Sequence, residues 1–123
     1  MKILICENQD VLLTALKFRL TKKKHELFLA KNGEEAINFL YEERPDFVIT
    51  ELKLPDSSAA KLLKIAHQEI NPELPFIILS NFEDAEELLD LLKAGARDFL
   101  LKPFKPDELL LRIEKIKYEI YND

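Results

Sequence analysis

Only two glycines and a single cysteine occur among the 123 residues, and each scarcity removes a class of function. A Gly-rich phosphate cradle needs backbone amides that approach the phosphate closely. Gly33 and Gly95, far apart in the chain, do not build one, which counts against a nucleotide or flavin site. The lone thiol, Cys6, has no internal disulfide partner and lies in an apolar run where a small buried thiol packs well. A reducing compartment fits. No stretch reaches the ~18 consecutive apolar residues of a membrane span, and the start, Met1-Lys2-Ile3-Leu4-Ile5-Cys6-Glu7, breaks too soon for a signal peptide. A cytoplasmic location is expected. The formal net charge of -5 opposes general adhesion to nucleic-acid phosphates. Neither nucleic acid nor membrane is therefore an expected partner of this segment.

What is present is a globular balance: 47% hydrophobic and 33% charged residues, enough apolar side chain for one core in one domain, residues 1–123. Short apolar runs at residues 3–6, 27–30, 47–50, 76–79 and 99–101 alternate with longer helix-period segments. The runs are apolar throughout, as strands covered on both faces must be. Leu12, Leu16 and Leu20 form one helical stripe, and Leu109, Ile113, Ile116 and Ile120 another. Ala36, Ile37 and Leu40 mark a third, Leu62, Leu63 and Ala66 a fourth, and Ala85, Leu88, Leu89 and Leu92 a fifth. Asn32-Gly33, Asn71-Pro72 and Ala94-Gly95-Ala96 supply turn chemistry between them. The pattern is (βα)5, an α/β class with a five-stranded parallel sheet and helices on both faces.

In such a sheet ligands bind beyond the carboxyl ends of the strands, at the switch in strand order. Glu7 and Asn8 follow the first run, Glu51 the third, Ser80 the fourth and Lys102 the fifth. Residues distant in sequence thus converge on one edge. Taken singly, each is an ordinary polar residue at a strand end. Cys6 reads as core packing, and His25 and His67 lack metal-ligand spacing. Lys22-Lys23-Lys24 caps the first helix against its dipole, and Phe82 and Phe104 read as core edges.

Quoted whole, these segments resemble the response-regulator receiver family of two-component signalling, over essentially the full length. Lys2-Ile3-Leu4-Ile5-Cys6-Glu7-Asn8 resembles its opening strand with an acidic pair, and Pro45-Asp46-Phe47-Val48-Ile49-Thr50-Glu51 the strand that ends in the phosphoacceptor, with Leu54-Pro55 following. Pro75-Phe76-Ile77-Ile78-Leu79-Ser80 is similar to the strand ending in the family's Ser/Thr. Lys93-Ala94-Gly95-Ala96-Arg97-Asp98-Phe99-Leu100-Leu101-Lys102-Pro103-Phe104 carries the most specific match. The resemblance implies a flavodoxin-like receiver fold of strand order 2-1-3-4-5. It also implies a carboxylate that accepts a phosphoryl group, acidic residues that hold Mg²⁺, and a Lys and Ser/Thr that stabilise developing charge.

Against that pattern, Lys102, Ser80 and Phe99 match the phosphate-stabilising and switch positions, whereas Glu51 stands where Asp is usual and Asn8 replaces an acid. The extra methylene of Glu moves the carboxylate by roughly 1.5 Å, and misplacement of about 1 Å costs ~10²-fold in such chemistry. Loss of one charge at Asn8 weakens Mg²⁺, leaving Glu7 and Glu51 as its candidate ligands and a bound metal weak or absent. The expectation is a signalling module, not an enzyme, that acts largely without phosphorylation. In it Glu51 replaces the phospho-aspartate and is bound by Lys102 and Ser80. Ala59, where the family has glycine, implies a loop without unusual backbone angles, and Asn81 is expected to hydrogen-bond across the site mouth.

The alternatives are a working receiver phosphorylated slowly with Mg²⁺, and a small α/β enzyme or flavin binder. A partner protein, an output domain or a histidine kinase is the implied contact. A homodimer through the fourth helix, fifth strand and fifth helix is expected to pair Asp98 with Arg112 of the second copy.

Overall fold

A computed structural model describes residues 1–121, apart from the side chain of Phe82, so the expectation for that ring lies outside the described residues. Five parallel strands form the sheet: β1 Lys2–Cys6, β2 Glu26–Ala30, β3 Phe47–Glu51, β4 Phe76–Ser80 and β5 Asp98–Leu101, in the order β2-β1-β3-β4-β5. Each is one residue longer than its apolar run, at the start in β1, β2 and β5 and at the end in β3 and β4, because backbone pairing takes in a polar neighbour that the apolar pattern leaves out. The three inner strands are almost wholly buried, while β2 and β5 at the edges are partly open. That contrast is what full coverage of inner strands by helices on both faces requires.

Period-two alternation divides the core between two faces. Leu4, Cys6, Val48, Phe76 and Ile78 pack with α2 Gly33–Glu43, α3 Ala59–Ile65 and α4 Ala85–Lys93. Ile3, Ile5, Ile49, Ile77 and Leu79 pack on the other face with α1 Asp10–Lys22 and α5 Pro106–Tyr121. The Cys6 thiol is fully buried, and desolvation pushes it up to about 12. A π-helical turn, Ala66–Ile70, continues α3.

Two stripes differ from the sequence expectation. In α1 Leu13, Leu16 and Leu20 are buried and Leu12 only half so, and in α4 the buried pair is Leu88 and Leu91 while Leu89 is exposed. Adjacent leucines offer two stripes of equal period, and only the position of the sheet selects one. Ile120, in the last turn of α5, is also exposed.

Asn32-Gly33 is a helix start: Asn32 Oδ1 accepts the Glu35 amide at 2.8 Å, the usual work of an N-cap. Gly95 takes φ 118°, open to glycine at least cost, and a Cβ there would lie 3.1 Å from the His67 ring. Between β3 and α3 the chain makes a hairpin absent from the sequence reading, Lys53–Leu54 pairing antiparallel with Ser57–Ser58. Asp56 in its turn receives the Gly33 and Glu34 amides at 2.6 and 3.1 Å, docking this loop on the first turn of α2. Ala59 begins α3 in ordinary helical backbone. The order of the strands reverses between β1 and β3, which opens a crevice at their carboxyl ends.

Candidate functional site

Four strand ends deliver the polar groups of this crevice. Glu7 directly follows β1 and its amide donates to Ala30 O at 3.0 Å, continuing the ladder by one residue. Glu51 and Ser80 are the last residues of β3 and β4, and Lys102 follows β5 with its amide on Ser80 O at 2.8 Å. The backbone that builds the sheet therefore also fixes where these side chains start.

Lys102 joins the two carboxylates. Its Nζ lies 2.7 and 3.0 Å from Glu7 Oε1 and Oε2, and 2.7 Å from Glu51 Oε1. Gln9 Oε1 is a more distant fourth partner at 3.5 Å. The other oxygen of Glu51, Oε2, accepts the Asn8 amide at 3.1 Å, so both oxygens of Glu51 are bound. Asn8 thus contributes its backbone, while its side chain is exposed.

The cluster is poorly hydrated, with Glu7 at 0% exposure and the side chains of Glu51 and Lys102 at 12% and 14%. Burial pushes the Glu7 carboxyl up to about 7; the Lys102 hydrogen bond opposes this and the Glu51 charge adds to it. Burial works to lower Lys102, yet its hydrogen bonds to Glu51 and Glu7 outweigh that and raise it.

Ser80 does not join them. Its hydroxyl donates to Asp84 Oδ2 at 2.9 Å, with Asn81 O at 3.3 Å. The expectation that Ser80 and Lys102 together bind Glu51 is corrected to Lys102 with the Asn8 amide, because a hydroxyl has one proton and donates it in the hydrogen bond to Asp84. Asn81 takes part through its carbonyl. The group that crosses the mouth is Lys53, 3.7 Å from Asp84 and 3.8 Å from Glu87.

Phe99 is half-buried and faces a groove with Ala85, Leu88, Leu89, Leu92 and Leu101, away from the charged cluster. Asp98 and Arg112, expected to meet across two copies, lie 3.6 Å apart in the same chain. The opposite charges that suggested an intermolecular contact already satisfy each other.

The recess lined by Glu51, Lys53, Ser80, Asn81, Asp84 and Lys102 holds about 80 Å³, far below the ~300–1,000 Å³ of small-molecule sites. It has no room for a flavin. Nor does the donor set fit a resident Mg²⁺, which needs a near-octahedral oxygen shell. An ammonium already bridges the two carboxylates, and no group of three or more metal-ligating side chains occurs among the described residues. His25 is buried at the far end of the sheet beside the Met1 amine, and His67 bonds Leu74 O at 2.9 Å. Both are remote from the cluster.

Sequence reading missed Asp84, Lys53 and Gln9. Asp84 follows Ser80 by four residues, a spacing that brings side chains together only if the chain turns helical at once. It does, in the 3-10 turn Phe82–Asp84.

Among known proteins, the response regulator receiver domain family matches residues 3–114. The non-phosphorylated receiver domain of HemR from Leptospira biflexa is 33% identical, with a TM-score of 0.85 over 94% of this chain and 92% of that one. A CheY-like receiver domain protein from Methanospirillum hungatei is 27% identical, with a TM-score of 0.88 over 99% and 98%. NtrX from Brucella abortus, a longer protein, aligns over 98% of this chain but 29% of its own, at 27% identity and a TM-score of 0.82. No described helix is long and apolar enough to cross a membrane.

Proposed function

The chain belongs to the response regulator receiver family, and on that premise we propose that it works as a signalling receiver largely independent of phosphorylation, with Glu51 standing in for the phospho-aspartate. The observation that carries this reading is the engagement of both Glu51 oxygens, one by the Lys102 ammonium at 2.7 Å and one by the Asn8 amide at 3.1 Å. A cation and a backbone N–H are the groups that stabilise an oxyanion. Here they are occupied by a carboxylate that the chain itself supplies.

Attack on a phosphoryl donor requires an oxygen lone pair free and correctly placed. Glu51 falls short on placement, since one oxygen is held by the Lys102 ammonium and the other by the Asn8 amide, and the longer side chain sets them roughly 1.5 Å beyond an aspartate's reach. With Lys102 bridging Glu7 and Glu51, Mg²⁺ plays no part in the resting module or binds only weakly. The module passes its state to a protein partner or output domain, with a histidine kinase as the family's upstream contact. It contacts neither nucleic acid nor membrane, and it is not an enzyme.

Incubation with Mg²⁺ and acetyl phosphate, followed by intact mass, tests this on wild type and Glu51→Asp side by side. The expected result is an unmodified wild type and one added phosphate on Glu51→Asp. A labelled wild type would establish the slow working receiver instead, and Glu51→Gln would then abolish the label.

A further inference from the structure

The hydroxyl of Ser80 has one proton, and the recess it lines is also lined by two carboxylates, Glu51 and Asp84. In the structure the hydroxyl donates to Asp84 at 2.9 Å. Asp84 is placed for this task, with its side chain 15% exposed and its second oxygen 3.7 Å from Lys53. Hydrogen bonds to an ionised acceptor are roughly twice as strong as neutral ones, whereas the exposed Lys53 contact adds little by itself. Lys53 nevertheless comes from the hairpin after Glu51 and reaches Glu87 on α4 at 3.8 Å, so it links hairpin and helix at the recess that Ser80 lines.

We propose that Asp84 is a latch, reinforced by Lys53, that holds the Ser80 hydroxyl away from Glu51 and so keeps the receiver in one of two states. This rests on the reading of Glu51 as a built-in phosphate substitute. The half of the site that Lys102 supplies is closed on Glu51, and the half that Ser80 supplies is held open by Asp84. Releasing Asp84 frees the hydroxyl, whose other partner is the more distant Asn81 O at 3.3 Å, to turn its hydrogen bond toward Glu51 across the recess both residues line. Asp84 immediately precedes α4, whose Leu88, Leu89 and Leu92 face Phe99 across the apolar groove. Freeing the latch therefore loosens the first turn of α4 and alters the surroundings of Phe99. Asp84 is a positioning residue in this scheme, acting through Ser80.

Backbone amide NMR on the unphosphorylated full chain, without phosphodonor, tests it. Asp84→Ala is compared with Glu83→Ala, an exposed neighbour, in wild-type, Ser80→Ala and Glu51→Ala backgrounds. The expected result is a shift of the Phe99 and Leu101 amides in Asp84→Ala beyond that in Glu83→Ala, lost in both backgrounds because donor or alternative acceptor is missing. Equal shifts in all three backgrounds, or none beyond the Glu83→Ala control, would overturn the latch. A shift that survives only in Glu51→Ala would overturn its dependence on Glu51 while leaving Ser80 as the link. Labelling of wild type by acetyl phosphate would defeat phosphorylation independence without touching this result, so the two failures are separable.

Discussion

The two ends of the sheet differ in what their polar residues do. At the amino ends of the strands lies an open cleft of about 740 Å³ lined by Arg44, Asp46, His67, Asn71 and Arg97, among others. Its polar groups serve local closure: Asp46 accepts the Lys2 amide at 2.8 Å, and His67 bonds Leu74 O at 2.9 Å. At the carboxyl ends the recess is about nine times smaller, 80 against 740 Å³, yet three ionisable groups from separate strands share one buried contact. Convergence of charge, and not the size of a hollow, sets the carboxyl end apart.

The largest expected difference comes from removing the shared cation. Lys102→Met leaves Glu7 buried beside Glu51 without compensation, a change that costs about 3–5 kcal/mol. Arg97→Met at the amino end removes an exposed pair with Glu119 at 3.8 Å and should stay within roughly 0.5 kcal/mol. Urea unfolding of both variants at neutral pH measures the contrast; equal losses would erase it.

Next in size is a pH dependence. Because the folded-state pKa of Glu7 is raised from 4.5 to about 7, the folded state binds more protons across that window. Its contribution is fully present below 4.5 and is lost as pH rises through about 7. Lys102, also raised, keeps its contribution until well into the alkaline range. Stability of wild type should therefore fall between these two values, and Glu7→Gln should flatten the profile. A Glu7→Gln curve parallel to wild type would place the slope elsewhere.

At the amino end, where residues are chosen for shape, Gly95→Ala should cost about 1–3 kcal/mol, since φ is 118° and the added Cβ meets His67 at 3.1 Å. Thermal unfolding reads this loss. A small effect is also expected for Asp98→Ala, which loses a half-exposed pair with Arg112 at 3.6 Å worth under about 1 kcal/mol and the Oδ1 acceptor of the Phe99 amide at 2.8 Å. Sedimentation should be unchanged, because the pair closes within one chain.

All five strands were legible because an inner parallel strand must be apolar on both faces, and no other element explains such short runs. The convergence of Glu7, Glu51, Ser80 and Lys102 followed from asking what comes after each strand. The choice between Leu88 and Leu89 was not legible, since neighbouring leucines satisfy the same helical period. Nor was the partner of Ser80, because Asp84 reaches its hydroxyl only through the 3-10 turn that follows the strand. The docking of Asp56 on α2 joins residues 23 apart and leaves no periodic trace.

The central claim is that Lys102 and the Asn8 amide already hold, in Glu51, what a phosphoryl group would otherwise provide. Amide NMR of wild type before and after Mg²⁺ with acetyl phosphate addresses it most directly. The account predicts unchanged resonances for Asn8, Ser80, Phe99 and Lys102. Movement of these four together, reversed when the phosphodonor is consumed, would contradict it.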